Sequence, residues 1–152
     1  MSDIIDPLAL PAGDLKEPSF PVLKEGKNRM TIQKLELVTS DKGDKRISIK
    51  IALVEDARAT DGSILRAGFG FYVPIFLTPN ENSTAQQIAE QVAMPIKAAL
   101  GPKTRVSMQD CLNQPDLIIG KVVDVKVGVR EGKKDFAGTF SNTVKAWIIP
   151  QA

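Results

Sequence analysis

The side chains with chemical reach in this chain are cations and flat rings. Lys42, Lys45, Arg46 and Lys50 fall close together, and Arg130, Lys133 and Lys134 form a second group beside Phe136. Clustered cations can neutralise a row of anionic groups, and exposed rings can stack on flat ones. Together they suit a flexible polyanion that carries planar bases. What is missing is as informative. The chain has no histidine, which removes the commonest general base and the commonest metal ligand. The single cysteine, Cys111, excludes an internal disulfide, and no thiolate–imidazole pair or Ser-His-Asp triad can be built. No metal or other cofactor is expected. Glu55 and Asp56 are adjacent, so on a strand they point to opposite faces. Gly68-Phe69-Gly70 belongs to neither of the glycine-rich phosphate-binding patterns. Binding is expected, not catalysis.

Those residues need a scaffold, and the chain has the material for one domain. It holds 152 residues, 43% of them hydrophobic, which is enough for one continuous core. No apolar run reaches the roughly 18 residues of a membrane span. Met1 to Ala12 carries Asp3 and Asp6 and no basic stretch, so no signal peptide and an intracellular, cytoplasmic location are expected. Net charge is only +2. Residues 118–152 carry six basic and three acidic groups, so an anion-binding surface should involve that end.

Residues 1–28 hold Pro7, Pro11, Pro18 and Pro21, a spacing that forbids a long helix or a central strand. An extended arm is expected there, partly docked through Ile4, Ile5, Leu8, Leu10, Phe20, Val22 and Leu23, with the domain proper at 29–152. Arg29 to Val38 reads as the first strand. Its apolar parity changes between Ile32 and Leu35, which predicts a bulge near Gln33–Lys34. A turn at 39–44 follows. Ile47, Ile49, Ile51 and Leu53 alternate with polar or small residues in the second strand. A long third strand is predicted from Leu65 to Leu77, bent or at an edge because of Pro74. Phe69, Phe71, Val73 and Ile75 share its core parity, and Tyr72 and Phe76 lie opposite.

A helix is predicted from Ser83 to Leu100, capped by Ser83 with Gln86, kinked or restarted at Pro95 and stopped at Gly101-Pro102. Ser107 with Asp110 opens a second, short helix, on which Cys111 is expected to be buried. Ile118 to Arg130 and Thr143 to Ile149 are the last two strands. Trp147 is expected to pack against the arm or a partner chain.

Five strands with one helix between the third and fourth is the element order of an OB-fold barrel, although other five-stranded β folds share it. In that fold, ligands cross the second and third strands between the loops that join strands one to two and four to five. That geometry selects Lys42, Lys45, Arg46, Lys50, Tyr72, Phe76, Arg130, Lys133, Lys134 and Phe136 as the candidate nucleic-acid contacts. Reversing the charge of Lys133 and Lys134 is expected to weaken binding.

The order of short motifs carries a resemblance. Asn28-Arg29-Met30-Thr31-Ile32 opens the first strand, and Ser40-Asp41-Lys42-Gly43-Asp44 forms the first turn. Leu117-Ile118-Ile119-Gly120-Lys121-Val122-Val123 leads into a Val-x-Val-x-Val strand, and a loop rich in lysine and glycine precedes Asn142-Thr143-Val144-Lys145. Over about residues 28–149 this resembles a group of bacteriophage single-stranded-DNA-binding proteins with an OB-fold. The resemblance implies coating of single-stranded DNA during phage replication or recombination, in the cytoplasm of the infected host. It also implies phage replication or recombination proteins as partners, and little base preference. The arm allows a homo-oligomer, and it supports a second expectation: a virion structural, decoration or assembly component whose arm straps onto neighbouring subunits.

Overall fold

Alternation of apolar residues lays down the framework. The computed structural model describes residues 8–9, 11, 21–81, 83–132 and 140–150. Ile47, Ile49, Ile51 and Leu53 place four branched side chains on one face of β2 (Lys45–Leu53). Val73 and Ile75 do the same on β5 (Gly70–Phe76), as do Val123, Val125 and Val127 on β6 (Val122–Glu131). β1 (Gly26–Thr39) is long enough to pair twice. Its first half meets β6 from Gly26↔Val127 to Thr31↔Val122, and its second half meets β2 from Met30↔Leu53 to Thr39↔Lys45. The register shifts between Ile32 and Lys34, at the expected bulge. β7 (Phe140–Ile148) pairs with β6 and completes an antiparallel five-stranded sheet in the order β5-β2-β1-β6-β7.

The protein is mainly β, as expected, but among the described residues the sheet does not close. β5 and β7 are its edges; they approach each other and exchange no ladder pair. Pro74 removes an N–H donor from β5, which suits an edge and hinders further pairing.

The expected third strand is divided. β3 (Ala57–Arg58) and β4 (Ile64–Leu65) form a separate two-stranded sheet. A turn then resets the chain before β5: the Phe69 amide donates to the Arg66 carbonyl, and Gly68 takes φ 98°, a left-handed value that a side chain rarely adopts. The long helix α1 (Ala85–Leu100) therefore follows five strands in chain order, not three. It is also not alone, because α2 (Met108–Asn113) and a 3-10 turn at Pro115–Leu117 precede β6. The cap of α1 is Thr84 with Gln87, one residue beyond the expected pair. Ser83 is occupied instead in a bridge with Asn80, its amide and carbonyl both bonded there. Pro95 does not break α1. It is buried beside Ile96, and the packing outweighs one missing helical bond. Ser107 caps α2 with Asp110 as expected.

α1 lays Val92, Ile96 and Ala98 on the core and touches both edge strands and β6. In β7 the register shifts opposite Lys126–Val127, so Lys145 and Ala146 are successive exposed residues. That shift turns Trp147 to the same side as Val144, and both pack against the core. Trp147, expected to pack against the arm or a partner chain, packs against the core of its own chain.

Of the arm, most of 1–20 lies outside the described residues. Val22 and Leu23 are buried, and Leu23 bridges to Ala59. The Asn142 side chain accepts from the Leu23 amide at 2.8 Å and donates to the Leu23 carbonyl at 3.0 Å and to the Gly128 carbonyl at 3.3 Å. One amide thus acts as a strand partner for the root of the arm. Among the described residues, no helix is long and apolar enough to cross a membrane.

Candidate nucleic-acid interface

β1, β2 and β5 present their outward side chains in three rows set by register. Lys34, Lys50 and Tyr72 form the first row; Glu36, Ser48 and Pro74 form the second; Val38, Arg46 and Phe76 form the third. Each strand contributes alternate residues, so Tyr72, Pro74 and Phe76 line up along β5 at about 7 Å intervals. Tyr72 is 49% exposed and Phe76 63%. Side chains of this size are expensive to leave in water, roughly 25 cal/mol for each Å² of apolar surface. Their inward neighbours Val73 and Ile75 are buried.

Cations border the rings. The Lys50 ammonium lies 5.7 Å from the centroid of the Tyr72 ring, close enough for a cation–π attraction that steadies both groups. Arg46 is half-buried beside Phe76, and Lys45 opens β2 next to it. The backbone at Lys45 is fixed, because its carbonyl accepts the Leu77 amide at 3.0 Å. The adjoining turn is tight: the Ser40 amide donates to the Asp44 carbonyl at 2.7 Å and the Asp44 amide to the Ser40 hydroxyl at 3.1 Å. Lys42 stands exposed on that turn. Two shallow, connected depressions run along this surface. One is floored by Ser48 between Glu36, Tyr72 and Phe76; the other lies between Lys45, Arg46, Phe76 and Thr78 at the end of the strands.

The turn into β5 is held in place by polar contacts. Asp56 accepts the Ala67 amide at 2.9 Å and pairs with Arg66 at 3.0 Å, which pins the turn that leads into the strand. The hydrogen bond from Ala67 and then that from Arg66 hold the Asp56 carboxyl below its ordinary value. On α2, burial and then the neighbouring Asp110 push the Cys111 thiol upward, so it stays a protonated, inert group in the core.

Of the residues selected from the sequence, Arg46, Lys50, Tyr72 and Phe76 are thus brought together on one side of the sheet; Lys45 shares the parity of the inward Ile47 but lies exposed at the strand end beside Arg46 and Phe76, and Lys42 is on the turn at that end. Arg130 is not. It lies exposed on β6 beyond Gly26↔Val127, at the opposite end of β1 from the Val38–Arg46–Phe76 row. Lys133, Lys134 and Phe136 lie outside the described residues. Sequence reasoning missed the β1 contribution: Lys34, Glu36 and Val38 reach this face because the bulge after Ile32 changes the strand's parity. The bulge itself was the signal that could have found them. Among the described residues, no three of histidine, cysteine, aspartate and glutamate are grouped as metal ligands would be. No family model and no curated protein matches the chain.

Proposed function

We propose that this chain binds single-stranded DNA without reading a defined sequence, on the outward face of β1, β2 and β5. The observation that carries the reading is the line of Tyr72, Pro74 and Phe76, exposed along one strand and bordered by Lys34, Lys45, Arg46 and Lys50. Bases stacked on aromatic rings contribute about 1–3 kcal/mol each, and cations alongside hold the phosphates, so the two ingredients suffice without base-edge contacts.

The topology supports an OB-fold-like barrel as the scaffold. Counting strands of the main sheet alone, the order is third-second-first-fourth-fifth, with the first strand paired on both sides. α1 touches the third and fifth strands, where a barrel of that order would meet itself. The resemblance to phage single-strand binders adds the setting: coating of exposed strands in replication or recombination, alongside the proteins that use them.

Titration of a labelled oligo-dT with the full chain, followed by fluorescence anisotropy, tests this. Binding at micromolar concentration or tighter is expected at low salt. It should weaken as salt rises, with a log–log slope of about −0.7 for each phosphate held. Arg46→Glu with Lys50→Glu is expected to weaken it about tenfold or more. Oligomers with no affinity for DNA would overturn the reading in favour of a structural component built on the arm.

A further inference from the structure

The depression between β1 and β5 has a floor and two walls of unlike chemistry. Ser48, small and nearly buried, is the floor. Tyr72, Pro74 and Phe76 make the β5 wall. The β1 wall is Glu36, exposed and directly opposite Ser48 in register. Among the described residues no cation lies within ion-pair distance of it.

An unpaired acid in the middle of a cationic face weakens attraction for every phosphate, so any favourable contact it makes with a bound strand must be to a base. Two interstrand steps separate β1 from β5, about 10 Å. A planar base resting on a β5 ring and a glutamate reaching from β1 together span that distance. An ionised carboxylate only accepts hydrogen bonds. It can take one from the N4 amino group of cytosine, whereas thymine offers the O4 acceptor at the same position and repels it.

We propose that Glu36 grades base preference on this face, so that a strand with cytosine over Ser48 is held more tightly than one with thymine. The inference rests on the single-strand reading of the same surface and makes that reading more specific. Any sequence is still bound, because every base has a face to stack.

The test is a pair of titrations with oligo-dC and oligo-dT of equal length at the same salt and pH 7.5, on the unmodified chain and on Glu36→Gln. The unmodified chain should hold oligo-dC about three- to tenfold more tightly. A glutamine amide both donates and accepts, and it carries no charge. Glu36→Gln should therefore tighten oligo-dT and bring the ratio close to one. Equal affinities in the unmodified chain would overturn the inference. So would a variant that tightens both oligonucleotides equally and leaves the ratio intact, because a purely electrostatic role predicts that. If neither oligonucleotide binds the unmodified chain, the single-strand reading itself fails, and the inference fails with it.

Discussion

β1, β2 and β5 have two faces, and the same backbone serves both. Inward, Ile49, Ile51, Val73 and Ile75 are buried and pack with Ile32, Met30 and α1. Outward, Tyr72, Pro74 and Phe76 repeat the same two-residue spacing, with the Lys50 ammonium over the Tyr72 ring and each of the three exposed. The inner apolar row stabilises the fold. The outer one contributes far less, because about half of Tyr72 and nearly two thirds of Phe76 stay in water in the folded chain. An apolar row that contributes little to folding, bordered by cations that no ion pair among the described residues engages, has the composition of a binding surface. The two faces should accordingly respond in opposite ways to substitution: inner changes should cost stability, and outer changes should cost affinity.

Ile49→Ala should produce the largest effect. The side chain is fully buried, so its loss combines a transfer cost with a cavity and should remove about 2–5 kcal/mol. Urea unfolding followed by circular dichroism would measure it, and the folded fraction should still bind DNA as before. Asn142→Ala comes next. It removes the side-chain partner of the Leu23 amide and carbonyl and of the Gly128 carbonyl, at a cost of about 1–3 kcal/mol in the same assay. Release of the arm root should also speed proteolysis near Leu23. If Asn142→Ala were silent, the side chain would not be the staple described.

The outer face is the counter-case. Tyr72→Ala with Phe76→Ala should cost less stability than Ile49→Ala alone, about 1–2 kcal/mol, because Tyr72 is only half buried and Phe76 is mostly exposed. A large loss would mean that the rings belong to the core and would erase the distinction between the faces. The smallest expected effect concerns Asp56, at the turn into β5. Its carboxyl sits below the ordinary value of 3.8, so the ionised form is favoured in the folded chain. The stability it contributes is present above that value and is lost as pH falls through the lower, folded value. Asp56→Asn should therefore unfold slightly earlier than the unmodified chain near neutral pH, and the difference should shrink as pH is taken below 3.8.

Much of this was readable from residue order wherever one local signal acted alone. β2 alternates without interruption, so its faces and the outward cations Arg46 and Lys50 follow from parity. The same holds for Tyr72 and Phe76 on β5. Legibility failed where two signals competed. Ser83/Gln86 and Thr84/Gln87 have the same capping pattern, and only the bridge to Asn80 decides between them. Pro95 breaks helices as a local rule, yet its burial in the core keeps α1 whole. Gly68 and Gly70 read as part of one strand, but the left-handed backbone at Gly68 makes a turn. Bulges hid the rest. The one after Ile32 carries Lys34 and Glu36 onto the candidate face, and the one at Lys145 turns Trp147 inward. A bulge is visible in sequence only as a change of parity, and what it brings together depends on the partner strand's register. Loop order places Arg130 at the wrong end of the sheet, because it does not say where along β1 the β6 ladder ends.

The central claim is that the exposed rings of β5 serve a ligand and not the fold. Anisotropy titration of oligo-dT with the unmodified chain and with Tyr72→Ala/Phe76→Ala, each with its urea midpoint recorded, tests it most directly. The account predicts a fall in affinity of about tenfold or more, with a midpoint lowered much less than by Ile49→Ala. Equal affinity for both proteins, or a lost midpoint with affinity retained by the folded fraction, would contradict it.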